Sequence, residues 1–342
     1  MIEESLKKLI DGENLSREEM HGIFAEMMEG GVSDTQKSAL LVALRMKGET
    51  AEEITGAAMA MRERVVSLNL DSSGLIDTCG TGGDGCATFN ISTVAAIVAA
   101  GAGARVAKHG NRAVSSSCGS ADVLAALGVN IDLNADEIVE VLNRIGISFL
   151  FAPRLHPAMR AVSDVRKALG VRTIFNLLGP LTNPALARRQ IVGVYEPNLV
   201  RIVAEVLLAL GAERAMVVHS RDGMDEISIS APTDVCEVVE GELRSYEVSP
   251  ESLGLQRYSM ETILGGDAAA NAAIAKAILR GGEGAMRDVV LANAGAALYV
   301  SGSATSLREG VVLAKQSIDS GEALKKLKEL IRITNEFAGA AA

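Results

Sequence analysis

Apolar positions in the first 70 residues recur with helical spacing. Four large apolar residues fall at i, i+3, i+4 and i+7 of a single stripe: Met20, Ile23, Phe24 and Met27. Three capping boxes mark successive helix starts: Ser16 with Glu19, Ser33 with Gln36, and Thr50 with Glu53. The pattern predicts consecutive short helices over residues 1–70. Their apolar stripes need a partner surface, which is either the rest of this chain or a second copy of it.

From about residue 74 the spacing of apolar residues changes from the helical pattern to a mixed one. Short β-type runs stand between helical stretches, at 75–79, 104–109, 147–151, 190–194 and 215–219. A hairpin is predicted at 235–239 and 243–248, and four helices at 267–280, 285–301, 306–319 and 321–335. Alternation of this kind predicts βαβ units, with ligands bound beyond the carboxyl ends of the strands. The predicted fold class is α/β, a small N-terminal helical domain plus a large α/β domain with a mostly parallel sheet flanked by helices.

Composition narrows the possible partners. The chain has 342 residues, 48% of them hydrophobic, and a net charge of −10, which argues against nucleic acid as a partner. No uninterrupted apolar run reaches membrane-spanning length, and the acidic N-terminus does not resemble a signal peptide, so no membrane partner is expected. The four cysteines show no CxxC pair, which favours thiols in a reducing cytoplasm.

The segment 77–93, DTCGTGGDGCATFNIST, follows a predicted strand and contains GxGxxG at Gly80, Gly82 and Gly85. A dinucleotide site would need an acidic residue at the end of the next strand, but that strand ends in the bases of 108–112. A mere tight turn would need fewer glycines and no flanking polar residues. The segment therefore favours a phosphate-binding loop that feeds a helix N-terminus near Ser92, with donors from Asn90, Ser92 and Thr93.

A second group of potential anion ligands occupies residues 108–116, KHGNRAVSS. Lys108, Arg112, Ser115 and Ser116 follow a strand end, and a helix opens at 119–122. Clustering beside the glycine loop favours phosphate binding over ordinary surface charge. His109 is either a catalytic base or an element that shapes the site, and we favour the second.

Two further segments carry candidate chemistry. Asp225 and Glu226 follow the predicted strand that ends at His219, and adjacent acids beside a phosphate site are candidates for Mg²⁺, with Ser92 as a further oxygen ligand. The alternative is a solvated acidic loop. In 165–184, Arg166 and Arg172 are bases that could meet an anionic acceptor, and LGPLTNP predicts a proline-pinned loop. Spacing alone would equally suit a packing segment with surface arginines.

Taken together, these segments resemble the anthranilate phosphoribosyltransferase family. The matching strings, in the family's order over about 150 residues, are GTGGDG (80–85), FNIST (89–93), KHGNRAVSS (108–116), GSADVLAALGV (119–129), VRKALGVRTIFNLLGPLTNP (165–184) and DGMDEIS (222–228). Six ordered strings make the resemblance highly specific.

The resemblance implies a helical domain at 1–70, joined by part of 160–185, that forms a homodimer, and a catalytic domain at 71–342. It implies transfer of phosphoribose from phosphoribosyl diphosphate (PRPP) to anthranilate in tryptophan biosynthesis. The implied PRPP contacts are Gly80, Gly83, Asp84, Thr88, Asn90, Ile91, Ser92, Thr93, Lys108, His109, Gly110, Asn111, Arg112, Ala113, Val114, Ser115, Ser116 and Ser120. The implied anthranilate contacts are Gly80, Asn111 and Arg166, with His109 and Pro180 nearby. Ser92, Asp225 and Glu226 match Mg²⁺ ligands, and two ions are expected.

The sequence departs from the family pattern in two places. Cys86-Ala87 replaces the commoner Ala-Asn, and Ser117 stands where a basic residue is frequent. Two alternatives share the fold: a pyrimidine nucleoside phosphorylase and a non-catalytic nucleic-acid-binding paralogue. The paired diphosphate and Mg²⁺ motifs argue against the first, and the acidic net charge with intact motifs argues against the second.

Overall fold

A computed structural model describes residues 2–113 and 117–338. The N-terminal segment folds into four helices: α1 (Ile2–Ile10), α2 (Arg17–Met28), α3 (Asp34–Lys47) and α4 (Ala51–Arg62). The remaining helices are α5 (Ile91–Gly101), α6 (Ser120–Leu127), α7 (Ala135–Ile145), α8 (Ala152–Leu155), α9 (Arg160–Leu169), α10 (Phe175–Leu181), α11 (Leu199–Ala209), α12 (Ala268–Leu279), α13 (Ala285–Ser301), α14 (Leu307–Asp319) and α15 (Glu322–Ala338).

Seven strands form one sheet in the described ranges: β1 (Leu75–Asp77), β2 (Arg105–Gly110), β3 (Ile147–Phe151), β4 (Arg189–Gly193), β5 (Arg214–Ser220), β6 (Thr233–Val239) and β7 (Glu242–Val248). Their order is β3-β2-β1-β4-β5-β6-β7. The first five are parallel, and β6 and β7 add an antiparallel edge. The β6–β7 turn places Glu240 and Gly241 at φ +55° and +79°, the left-handed pair that a tight hairpin requires. The predicted fold class is confirmed.

The helical segment is organised as its pattern predicts. All three capping boxes form, and each begins a helix. The stripe of α2, from Met20 to Met27, is fully buried. It packs against α4 and α9, and the apolar core continues through α10 and α11 onto one face of the sheet. The stripes of these helices are therefore covered largely within the chain.

The opposite face of the sheet is covered by α5, α13 and the C-terminal helices. Helices α13 and α14 approach closely because Gly295 meets Gly310, where an added Cβ on Gly310 would lie 2.1 Å from the Gly295 carbonyl oxygen. None of the helices described is long and apolar enough to cross a membrane.

The segment 175–181 differs from the prediction. LGPL was expected in a proline-pinned loop, but it forms the last turn of α10, with Pro180 inside the helix. The helix tolerates this proline because neighbouring side chains bind its end. Gln190 donates to the Pro180 carbonyl (2.7 Å), and Thr182 donates to the Leu178 carbonyl (2.9 Å).

Candidate active site

The predicted site residues gather at the carboxyl edge of the sheet, where the segments after β1, β2 and β5 meet. The glycine loop leaves β1 and enters α5, and the second loop leaves β2 and enters α6. The acidic loop, residues 221–232, joins β5 to β6. Parallel strands bring these three segments together although they are up to about 150 residues apart in sequence.

Glycines allow the loop after β1 to approach the acidic loop closely. Gly82, Gly83 and Gly85 have φ between +64° and +78°, a region that glycine adopts without strain. An added Cβ on Gly80 would lie 3.1 Å from Asp225 Oδ2. On Gly193, at the end of β4, it would lie 1.5 Å from the Asp225 carbonyl oxygen. The glycine loop and the acidic loop therefore form one compact unit.

Three carboxylates converge in this unit. Asp225 Oδ2 accepts from the Gly82 amide (2.7 Å), and Asp84 Oδ2 accepts from the Asp225 amide (3.4 Å). Glu226 Oε1 accepts from the Ser92 amide at the start of α5 (3.1 Å). Burial and the neighbouring Asp84 carboxylate together raise the pKa of Asp225 to about 7. Burial and the neighbouring Asp225 carboxylate together raise the pKa of Glu226 to about 8.

This donor set fits a hard cation. Mg²⁺ takes oxygen ligands, usually one or two protein carboxylates with the rest from water and phosphate. Asp225 and Glu226 are neighbouring like charges withdrawn from solvent, which disfavours their ionised forms unless a cation binds. Ser92, in the first turn of α5, donates its amide to Glu226. Asp225 and Glu226 therefore offer carboxylate oxygens of the kind that Mg²⁺ takes, and the predicted ligand set with Ser92 stays a prediction.

Helix α5 begins at Ile91, and Asn90 is its N-cap residue. Asn90 was expected to present a donor to phosphate, but its side chain is engaged by protein. Its Nδ2 donates to the Cys118 carbonyl and its Oδ1 accepts from Asn271, both at 3.0 Å. Thr93 is buried, and its hydroxyl has no hydrogen-bond partner within the described residues. At this helix start the Asn90 side chain is thus bound by protein, the Thr93 side chain is buried, and the Ser92 amide donates to Glu226.

The second loop is held at both ends by Asp122. Its Oδ2 accepts from the amides of Ala113 and Gly119, both at 2.9 Å, and its Oδ1 accepts from Arg112 (3.0 Å). Asn111 and Ser120 meet where the Ser120 hydroxyl donates to the Asn111 carbonyl (3.3 Å). Val114, Ser115 and Ser116 lie outside the described residues. Arg112 remains more than half exposed at the loop surface.

Neighbouring residues on β2 point to opposite sides. Lys108 is buried and donates to the Thr78 carbonyl and hydroxyl, both at 3.3 Å. Burial raises the pKa of Asp77 to about 6 and that of Glu226 to about 8, and the positive charge of Lys108 limits both increases. Lys108 therefore faces the interior below the glycine loop. His109 faces α10, and its Nδ1 lies 3.1 Å from the Gly179 carbonyl oxygen, next to Pro180.

Two arginines of the α9–α10 segment differ in their partners. Arg172 donates to the Gly83 carbonyl and lies over the Tyr195 ring at 4.4 Å, so it ties this segment to the glycine loop. Arg166 stacks on Phe175 at 5.2 Å and forms no ion pair with any described residue. Burial lowers the pKa of Arg166. A partly buried guanidinium without a counter-ion is typical of a binding site for an anion.

Several supporting residues were missed by sequence reasoning. Asp77 accepts from the His109 amide (3.1 Å) and from Asn183 (2.7 Å), which explains the asparagine of LTNP. His156 lies 3.1 Å from His109. Asn271 and Asn293, from α12 and α13, contact the two halves of the site. No local motif marks these residues, since each acts through a partner distant in sequence.

Comparisons with known proteins cover almost the whole chain. The model of the glycosyl transferase family a/b domain matches residues 72–324, and the model of the helical bundle domain of that family matches residues 3–65. The anthranilate phosphoribosyltransferase of Anaeromyxobacter dehalogenans is 56% identical over 98% of this chain and 99% of its own length. That of Rubrobacter xylanophilus is 52% identical over 99% of both chains.

Solved structures give the same result. The anthranilate phosphoribosyltransferase of Thermus thermophilus superposes with a TM-score of 0.91 at 45% identity, over 96% of this chain and 99% of that one. The Saccharomyces cerevisiae enzyme in complex with PRPP and Mg superposes with a TM-score of 0.89 at 29% identity, over 98% of both chains. These similarities do not favour the nucleoside phosphorylase or the nucleic-acid-binding alternative. This chain belongs to the anthranilate phosphoribosyltransferases of the glycosyl transferase family.

Proposed function

We propose that this chain transfers the phosphoribosyl group of PRPP to the amine of anthranilate. The bond between the ribose anomeric carbon and diphosphate breaks, a carbon–nitrogen bond forms, and the amine loses a proton. The observation that carries the proposal is a set of groups suited to ligands of opposite charge. Asp225 and Glu226 are adjacent carboxylates suited to a cation, and Arg166, which forms no ion pair with a described residue, is suited to an anion.

The glycine loop and the start of α5 suit the diphosphate. Glycine backbone amides approach an anion closely, and the N-terminus of an eleven-residue helix favours negative charge. The loop residues Gly80, Gly83, Asp84 and Thr88, with 90–93, would hold PRPP. The second loop, 108–116 with Ser120, would close the same pocket. The resulting contacts stabilise the charge that develops on the leaving group.

Mg²⁺ would be held by Asp225, Glu226 and Ser92, and it would neutralise diphosphate charge when bound. We propose two ions, because Asp84 brings the number of nearby carboxylates to three, more than one Mg²⁺ usually takes from protein. The Saccharomyces cerevisiae enzyme binds PRPP and Mg together in its solved complex, which supports a magnesium site beside the diphosphate.

Arg166 would pair with the anthranilate carboxylate, bidentate where the geometry allows, and Gly80, Asn111 and Pro180 would border the ring. His109 would shape this pocket without acting as a base. Both of its ring nitrogens face protein partners, the Gly179 carbonyl and His156. The aromatic amine of anthranilate is neutral at pH 7 and already nucleophilic, so no strong base is required.

The decisive assay follows anthranilate fluorescence after addition of PRPP, with Mg²⁺ or with EDTA. We expect the fluorescence to fall only when PRPP and Mg²⁺ are both present, and an Asp225→Asn variant to need more Mg²⁺. Unchanged fluorescence with both present would exclude the function.

We also propose that the chain forms a homodimer through α1 and α3. Ile10 and Met46 are 75% and 83% exposed, and Val42 lies one turn before Met46 on the outer face of α3. Exposed apolar side chains grouped on two packed helices suit a second copy of the same surface. Met46→Asp is expected to halve the mass in light scattering. A mass unchanged from wild type would exclude this interface.

We place the enzyme in the cytoplasm, since its four cysteines form no disulfide within the described residues.

A further inference from the structure

A buried asparagine on α13 holds the backbone of the acidic loop. Asn293 is only 3% exposed. Its Oδ1 accepts from the Ile227 amide and its Nδ2 donates to the Ile227 carbonyl, both at 2.9 Å. The same Nδ2 donates to the Val289 carbonyl one helical turn earlier (2.9 Å). Both backbone groups of the residue after Glu226 are thus bound by one side chain.

Packing alone does not require an asparagine here. Asn293 stands within an apolar part of α13, where leucine, which has the same branching, would bury no amide. Asparagine also lowers helix propensity relative to leucine. Its benefit is that Ile227, in a loop without helix or strand, has both polar backbone groups satisfied.

The position of this clamp connects it with the carboxylates. The Ile227 amide belongs to the peptide group that it shares with Glu226, so the clamp fixes the backbone directly after Glu226. Glu226 precedes Ile227 directly and Asp225 stands one residue earlier, so Asn293 binds the backbone next to both carboxylates. Met224, Ile227 and Ile229, all fully buried, anchor the loop by packing but leave the peptide orientation to Asn293.

We propose that Asn293 is a positioning residue that sets the geometry of the Asp225–Glu226 carboxylates before a metal ion binds. The inference rests on the proposed function only in taking these carboxylates as metal ligands. Groups that orient metal ligands from behind commonly change metal affinity about 10-fold or more when they are removed.

Asn271 provides a matched control. It is 2% exposed, on α12, and its Nδ2 donates to Asn90 while its Oδ1 accepts from the Gly266 amide (2.8 Å). It supports the glycine-loop exit and the second loop, not the carboxylates. Substitution by serine removes the same buried amide group at either position, from α12 in Asn271→Ser and from α13 in Asn293→Ser.

The test measures binding of Mn²⁺ alone, without diphosphate, by electron paramagnetic resonance, in wild type, Asn293→Ser and Asn271→Ser. We expect the Mn²⁺ dissociation constant to rise about 10-fold or more in Asn293→Ser and to stay within about twofold in Asn271→Ser. A folded Asn293→Ser variant with wild-type Mn²⁺ affinity would overturn the proposal, and so would an equal loss in both variants.

Hydrogen exchange on metal-free wild type keeps the proposal testable if Asn293→Ser does not fold. The Ile227 amide should be protected as strongly as amides in the centre of α13. Exchange at the rate of an exposed loop would overturn the proposal. Wild type that binds Mn²⁺ but leaves anthranilate unchanged would refute the proposed function and not the role of Asn293.

Discussion

The Nε2 atoms of His109 and His156 lie 3.1 Å apart, so one imidazole donates to the other. The Nδ1 of His109 is 3.1 Å from the Gly179 carbonyl, which can only accept. His109 is therefore protonated at Nδ1, and its Nε2 accepts from the Nε2–H of His156. This arrangement requires His109 to be neutral, and His156 can donate in its neutral form. Burial lowers the pKa of His109 to about 3, helped by His156, and lowers that of His156 to about 4.

Acid should therefore destabilise the protein through this pair. Because the folded-state pKa values lie below the ordinary histidine value of 6.5, the stabilisation is complete above pH 6.5 and is lost as the pH falls towards 4. For His109 the loss between pH 6.5 and 4 is about 3 kcal/mol. Denaturant unfolding over this range should show a shallower decline in His156→Gln than in wild type. Equal slopes would contradict the buried neutral pair.

The acidic pair predicts a pH effect of opposite sign. The pKa values of Asp225 and Glu226 are raised to about 7 and about 8, so the stability they contribute is present at low pH and is lost as the pH rises through these values. Without Mg²⁺, the melting temperature should fall between pH 6.5 and 8.5, where the histidine contribution is constant. Saturating Mg²⁺ should remove the decline because the ion favours the ionised carboxylates.

A variant carrying Asp225→Asn and Glu226→Gln separates this effect from other titrations. Its melting temperature should change less over the same pH range and should not respond to Mg²⁺. A wild-type decline that persists at saturating Mg²⁺ would contradict the assignment of these carboxylates to a cation.

Arg166 should affect the acceptor and not the donor. Arg166→Ala is expected to raise the anthranilate KM about tenfold or more, a loss of ~2 kcal/mol, with little change in the PRPP KM. Its exposed neighbour Lys167 supplies the control, since Lys167→Ala should leave both values unchanged. Removal of an unpaired, partly buried charge should leave the stability unchanged or slightly higher. An unchanged anthranilate KM in Arg166→Ala would exclude this role.

Ala87 is strained in the glycine loop. It has φ +54°, in the left-handed region that costs a non-glycine residue about 1 kcal/mol. Ala87→Gly and Ala87→Asn should each raise the free energy of unfolding, by up to about 1 kcal/mol. Ala102, at the end of α5 with φ −82°, is the matched control, and Ala102→Gly should lower it. The free energies of unfolding are measured by denaturant titration. If neither Ala87→Gly nor Ala87→Asn raises the free energy of unfolding, Ala87 is not strained.

Local patterns predicted most of the fold. The three capping boxes, the stripe from Met20 to Met27 and the strand at 147–151 form as expected, because their signals lie within one turn or one strand. Pro180 is the exception. Its segment remains helical because two side chains bind the end of α10. Gln190, at the start of β4, donates to the Pro180 carbonyl, and Thr182, directly after α10, donates to the Leu178 carbonyl. The predicted roles of the individual site residues remain predictions.

The sequence by itself determined that a glycine loop, a basic loop and an acidic pair follow three strands, and the parallel sheet brings them to one edge. Only the tertiary structure decided how each side chain is used. Lys108 turns inward to Thr78, and the Asn90 side chain pairs with Asn271 of α12. Asn293 binds Ile227 from 66 residues away. Such pairings depend on which helix packs over which loop, and no local sequence signal encodes that contact.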